Sequence, residues 1–335
     1  MEETILEVRD LKACYFAPQG TVWAVDGLSF DLRRGETLSL VGESGCGKTA
    51  TGLALLRLIE SLHGRVVGGQ VLYHGQDLVK LPLEELRRVR GARIAIVFQD
   101  PATALNPVLK IGEQIGEALR LHLGMGQKEA RDRAIELLRQ VGIPGAERRV
   151  EEYPHQFSGG MKQRVLIATA LACNPEVLIA DEPTTALDVT TKAQVLEIFR
   201  QLRQNRQMSM IFITHDLGVV AEMADRVLVM YGGRLAEAGS LLDIFDTPQH
   251  PYTQALMKCL PGIAEDRLQP IPGTIPSLIN PPDNCLFSPR CPFVMKVCTE
   301  KRPPEYLTAP DHRVACYLHS RFPVFTWASR VEAHG

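Results

Sequence analysis

The run Gly42-Glu43-Ser44-Gly45-Cys46-Gly47-Lys48-Thr49 has the spacing G-x-x-x-x-G-K-[ST]. It lies between an apolar strand-like run, Thr37 to Val41, and a helical pattern over Thr49 to Leu62 carrying Leu53, Leu55, Leu56 and Ile59. That pattern in that setting suits one chemistry, the gripping of phosphates. Glycines let the backbone wrap closely round an anion, and a helix N-terminus aims N–H groups at its charge. Lys48 would reach the terminal phosphates, and the Thr49 hydroxyl would coordinate magnesium. Cys46 reads as a small loop residue rather than a reactive thiol.

Two further groups could serve the same reaction. The apolar run Val177-Leu178-Ile179-Ala180 ends in Asp181-Glu182. A strand end delivers Asp181 to a magnesium shell, and Glu182 could polarise an attacking water as general base. Ser158-Gly159-Gly160 precedes an apolar helical run, Val165 to Cys173. A hydroxyl and free N–H groups at a helix start form a second anion-binding design, although a plain helix cap would look the same. Gln99, after the strand-like Ile94 to Phe98, and His215, after Met210 to Ile213, read in isolation as polar strand ends.

These groups need a scaffold of alternating strands and helices. Short strands are expected over 4–9 and 21–31, a strand entering a turn over 69–75, and helices broken by Gly and Pro from Pro107 to about Asn174. A helix over roughly 190–205 and a hairpin over Arg226 to Gly239 turning at Gly232-Gly233 follow. The pattern predicts a mostly parallel α/β core with an inserted helical lobe. Beyond Leu260 come Pro261, Pro270, Pro272, Pro276, Pro281 and Pro282, poor material for helices or central strands, so a linker into a small loop-rich tail is expected. In 335 residues with a formal net charge of -2, nothing favours a nucleic-acid surface. No window has the roughly 18 apolar residues of a membrane span, and Met1-Glu2-Glu3 lacks the layout of a secretory signal. A cytosolic chain is expected.

The motifs in this order resemble the ATP-binding cassette family over residues 4 to 260. Gly42 to Thr49 resembles the Walker A loop, and Val177 to Glu182 resembles Walker B with its catalytic glutamate. Ser158-Gly159-Gly160 resembles the signature written LSGGQ, with Phe157 and Met161 at its outer positions. Gln99 resembles the Q-loop glutamine that senses magnesium, Ala186-Leu187-Asp188 the D-loop, and His215 the switch histidine. Tyr15 sits where the family stacks an aromatic ring on adenine, with Phe16 as a rival. The resemblance implies a P-loop NTPase fold: a RecA-like parallel-sheet core, an antiparallel β subdomain and a helical subdomain at about 107–174, all within 1–260. It implies ATP hydrolysis with Glu182 and His215 catalytic. Tyr15, Gly42 to Thr49, Ala50, Gln99 and Asp181 would lie on the magnesium nucleotide, and Ser158, Gly159 and Gly160 would act on a partner cassette's nucleotide.

Cys285, Cys291, Cys298 and Cys316 crowd the tail without a C-x-x-C pair, whereas Cys14, Cys46, Cys173 and Cys259 are scattered. Read from spacing alone, an iron–sulfur cluster, zinc and unliganded thiols all stay open. His250-Pro251-Tyr252-Thr253, Pro289-Arg290-Cys291-Pro292, and Asp100-Pro101 to Asn106-Pro107 are similar to dipeptide/oligopeptide importer ATPases of the D type. That resemblance implies a C-terminal extension over 261–330, with a [4Fe–4S] cluster on Cys285, Cys291, Cys298 and Cys316. It implies a peripheral subunit at the cytoplasmic membrane face, paired with a second, related cassette and two permeases, and served by an extracytoplasmic peptide-binding protein. Nickel or another small solute is the alternative cargo, and a soluble non-transport ATPase the more distant reading.

Overall fold

The computed structural model describes residues 3–206, 208–259 and 271–326. Pro261 and Pro270 of the expected linker lie outside the described residues. The described residues form two compact units, one drawn from 3, 32–36 and 80–213, the other from 4–31, 37–79 and 214–326.

In the first unit, strand Val177–Asp181 runs parallel to Ile94–Val97 on one side and to Ser209–Ile213 on the other. Every residue of Val177–Asp181 and of Ser209–Ile213 is buried, as befits parallel strands covered on both faces. Helices Ile111–Leu123, Gln127–Gln140 and Gly159–Ala170 fall where the helical lobe was expected. The first buries Ile111, Ile115 and Leu119, one stripe at four-residue spacing. Helix Val189–Arg206 buries Val195, Leu196, Phe199 and Leu202, and its Phe199 meets Phe212 edge-on with ring centroids 5.3 Å apart.

The second unit holds a four-stranded sheet in the order Gly20–Arg33, Thr4–Ala17, Gly64–Tyr73, Gln76–Asp77. The first two strands are 14 residues each, longer than the expected 4–9 and 21–31. Thr4–Ala17 continues past Arg9 because an irregularity between Arg9 and Lys12, with Asp10 at φ 46°, shifts the register rather than ending the strand. The expected helix over 49–62 is also corrected. Helix Lys48–Leu55 stops, Arg57 turns left-handed at φ 53°, and Leu58–Leu62 is a separate 3-10 turn.

Strand Thr37–Val41 runs parallel to Arg226–Tyr231, which returns through Gly232-Gly233 as Arg234–Ser240. The tail is less irregular than its prolines suggested. His312–Val314 pairs with Arg234–Ser240, and Tyr306–Ala309 pairs with His312–Val314. Prolines 303 and 304 precede this hairpin and take no rung of it, which is how the strands escape them. Phe287 of the tail is buried among Tyr231 and Tyr252, with centroids 5.3 and 5.4 Å away. Burying such a ring stabilises the fold by roughly 1.5–3 kcal/mol. Among the described residues no helix is long and apolar enough to cross a membrane.

Candidate functional site

The phosphate loop hangs between the buried strand Thr37–Val41 and helix Lys48–Leu55. Gly47 caps that helix at φ 101°, and a Cβ there would stand 2.0 Å from the carbonyl oxygen of Ala24, so only glycine fits. Lys48 is buried, and its Nζ donates to the carbonyls of Gly42 at 2.8 Å and Glu43 at 3.0 Å. Ser44, Gly45 and Thr49 face solvent, while Ala50 is buried beneath them. Cys46 is fully buried, and burial pushes its thiol pKa up, in keeping with a packing role. The Glu43 N–H donates to the hydroxyl of Tyr252 at 2.9 Å, a ring with no exposure at all.

In the first unit, Asp181 ends its strand buried, and Glu182 stands just beyond it. Glu182 has φ 45°, a conformation costing about 1–3 kcal/mol for a residue with a side chain. Its N–H is tied to the carbonyl of Ile213 at 2.9 Å. One carboxylate oxygen accepts from Gln99 Nε2 at 3.1 Å and from Thr185 Oγ1 at 2.9 Å. Gln99 and Glu182, 83 positions apart, are thus held together, a contact that neither local motif announces. Thr185 is a site neighbour that sequence reasoning missed.

Ser158 caps helix Gly159–Ala170, its Oγ accepting from the Met161 N–H at 3.3 Å. Ser158 and Gly159 are exposed, and a Cβ on Gly159 would meet nothing within 4 Å. Gly160 differs: a Cβ there would stand 2.3 Å from Thr191 Cγ2. Asp188 accepts from the Thr191 hydroxyl at 2.7 Å and its N–H at 3.0 Å, and these bonds hold its carboxyl below the usual range. In the second unit, exposed His215 sits between buried Thr214 and the partly buried Asp216, which caps helix Leu217–Met223. Tyr15 is half-buried opposite Gly64, and Phe16 is 60% exposed.

The tail thiols share one neighbourhood. Cys298 and Cys316 are buried, Cys285 and Cys291 partly so, and the Cys285 N–H donates to the Cys298 carbonyl at 3.0 Å. Burial pushes the Cys316 thiol up to about 12, and the charges of Cys285, Cys291 and Cys298 add to the effect. A single zinc would draw four sulfurs to within about 3.8 Å of each other, from Zn–S bonds of about 2.3 Å in a tetrahedron. Among the described residues no group of three or more His, Cys, Asp or Glu side chains is placed to hold a metal ion.

The family model described as ABC transporter matches residues 25–185, and that described as Oligopeptide/dipeptide transporter, C-terminal region, matches 236–298. The dipeptide transport ATP-binding protein DppD of Bacillus subtilis (strain 168) is 49% identical over 321 residues, 95% of this chain and 96% of its own. The oligopeptide transport ATP-binding protein OppD of the same organism is 49% identical over 317 residues, covering 94% of this chain and 88% of its own. A solved dimeric post-hydrolysis state of the ATP-binding cassette MJ0796 bound to ADP and Pi superposes with a TM-score of 0.63 at 28% identity, over 70% of this chain and 98% of that one. The cassette fold expected from the motifs is therefore the fold of this protein. With near-half identity spanning almost its whole length, the chain belongs to the ABC transporter ATPases, in the branch that carries the oligopeptide/dipeptide transporter C-terminal region.

Proposed function

We propose that this chain is the ATP-hydrolysing motor of an importer for dipeptides or short oligopeptides. It works at the cytoplasmic face of the membrane beneath two permease subunits, paired with a second, related cassette and fed by a peptide-binding protein outside. One observation carries the reading: a cassette and an oligopeptide/dipeptide C-terminal region occur in one chain that aligns over 94–95% of its length with dipeptide and oligopeptide transport ATPases.

Lys48 grips the terminal phosphates, leaving its loop carbonyls when nucleotide arrives, while the N–H groups of Gly42 to Thr49 and Ala50 wrap them. Tyr15, or exposed Phe16 beside it, stacks on adenine. Thr49, Gln99 and Asp181 offer a hydroxyl, an amide carbonyl and a carboxylate, hard oxygen donors that would hold magnesium, which when bound would supply neutralising charge. Glu182 takes a proton from the attacking water, and its bonds to Gln99 and Thr185 aim the carboxylate. His215 holds the terminal phosphate. Exposed Ser158 and Gly159, with Gly160 behind them, complete the partner cassette's site.

The test is reconstitution with the two permeases and the second cassette. ATP hydrolysis should rise when peptide-loaded binding protein is added. Stimulation by nickel or another solute in place of peptide overturns the cargo, and hydrolysis indifferent to any permease overturns the transport role.

Cys285, Cys291, Cys298 and Cys316 are proposed to hold a [4Fe–4S] cluster. Four thiols in one stretch of the tail, with no carboxylate or imidazole among them, are the donor set that such clusters ordinarily take. When bound, such a group would cross-link the tail. Iron and acid-labile sulfide assays on anaerobically purified protein test it, and zinc alone refutes it.

A further inference from the structure

Glu43 is the first variable residue of the phosphate loop, and three of its groups are held. Its N–H reaches the Tyr252 hydroxyl and its carbonyl accepts from Lys48. Its carboxylate forms a two-pronged pair with Arg290 of the tail, Nη1 to Oε2 at 2.7 Å and Nη2 to Oε1 at 3.0 Å. Arg290 is 247 positions away in sequence, and its side chain is only 3% exposed. All five of its N–H donors are engaged. Nε donates to the Pro272 carbonyl at 2.8 Å, Nη2 also to the Ile271 carbonyl at 3.2 Å, and Nη1 also to the Tyr231 hydroxyl at 3.2 Å. A guanidinium so fixed has no rotamer freedom left to lose, so its fork sets where Glu43 can stand.

We propose that Arg290 is a positioning residue of the phosphate loop: through Glu43 the C-terminal extension holds the loop in its nucleotide-ready form and thereby sets nucleotide affinity. This rests on the phosphate-loop reading above. A carboxylate beside bound phosphates would by charge alone weaken binding. The pair supplies a reason to keep it, since Arg290 both neutralises Glu43 and ties it down. Positioning and plain repulsion therefore predict opposite signs for Glu43→Gln.

The experiment is titration calorimetry of the full-length chain with a non-hydrolysable magnesium–ATP analogue, alongside its thermal unfolding without nucleotide. The variants are Arg290→Gln, Arg290→Lys, Glu43→Gln and the double Arg290→Gln/Glu43→Gln, with Lys48→Ala as control. Arg290→Gln and Glu43→Gln should each raise the Kd about tenfold, within the usual range for coupled sites. The double variant should be no worse than either single change, because both remove one interaction. Arg290→Lys, which keeps the charge but not the fork, should weaken binding less than Arg290→Gln while remaining above wild type. In steady-state turnover by the reconstituted transporter the loss in Arg290→Gln should appear in KM, with kcat within about twofold. An unchanged Kd in Glu43→Gln and Arg290→Lys, or tighter binding in Glu43→Gln, overturns the proposal. The last two variants decide the matter if Arg290→Gln does not fold. Should Lys48→Ala itself bind normally, it is the phosphate-loop reading that fails.

Discussion

Replacing His250 with asparagine should remove much of the protein's sensitivity to mild acid. His250 is 4% exposed and caps helix Pro251–Met257, its Nδ1 accepting the Tyr252 N–H at 3.0 Å. An Nδ1 that accepts must be unprotonated. Burial lowers the pKa to about 4, with His319 lowering it further and the Glu237 carboxylate opposing. An unfolded histidine titrates near 6.5. The folded value lies below the unfolded one, so the contribution is complete above about pH 6.5. As pH falls toward 4 the unfolded chain takes up the proton first, and stability drains away. A pKa gap of about 2.5, at 1.36 kcal/mol for each, caps the loss at about 3 kcal/mol, of which about 2 kcal/mol is gone by pH 5. Asparagine does not titrate, and its Oδ1 is a favoured helix cap able to accept the same N–H. Urea unfolding at pH 7.5 and pH 5 should show the wild type losing about 2 kcal/mol more than His250→Asn. Equal losses in the two proteins would show that the imidazole is not the group being charged and refute the burial argument.

Three further outcomes follow from the geometry. Glu182→Gln keeps an oxygen to accept from Gln99 and Thr185, so it should bind ATP yet turn over about 10²–10⁴-fold more slowly; near-normal hydrolysis would remove Glu182 as the base. Gly160→Ala, forced against Thr191, should lose roughly 1–3 kcal/mol in denaturant unfolding, while Gly159→Ala should unfold like wild type and lose activity only in the paired, assembled transporter. Phe287→Ala should cost about 3–5 kcal/mol, read as a lower urea midpoint, because Tyr231 and Tyr252 lose a shared partner.

What was legible in the sequence was local. The phosphate loop and the strand-end carboxylates are short runs whose spacing itself is the chemistry, and the buried strands Thr37–Val41 and Val177–Asp181 show as compact, largely apolar runs. Thr4–Ala17 was cut short because Asp10, at φ 46°, breaks the alternation that marks a strand. The tail strands Tyr306–Ala309 and His312–Val314 have four and three residues, too few for any period to declare itself. Contacts across long separations left no trace. Gln99 meeting Glu182, and Arg290 meeting Glu43, depend on the folded chain and not on spacing. An arginine set between proline and cysteine in Pro289-Arg290-Cys291-Pro292 was the nearest thing to a signal.

The hairpin donated by the tail has a consequence for anyone shortening this protein. Strand Arg234–Ser240 receives His312–Val314 along one side, and its fully buried Glu237 accepts from His312 Nε2 at 2.7 Å. A chain ending after Cys259 would uncover that flank: a bare ribbon of amides and carbonyls, with a buried acid stripped of one neighbour. Such a ribbon is a template for another copy, so a trimmed version would be prone to clump.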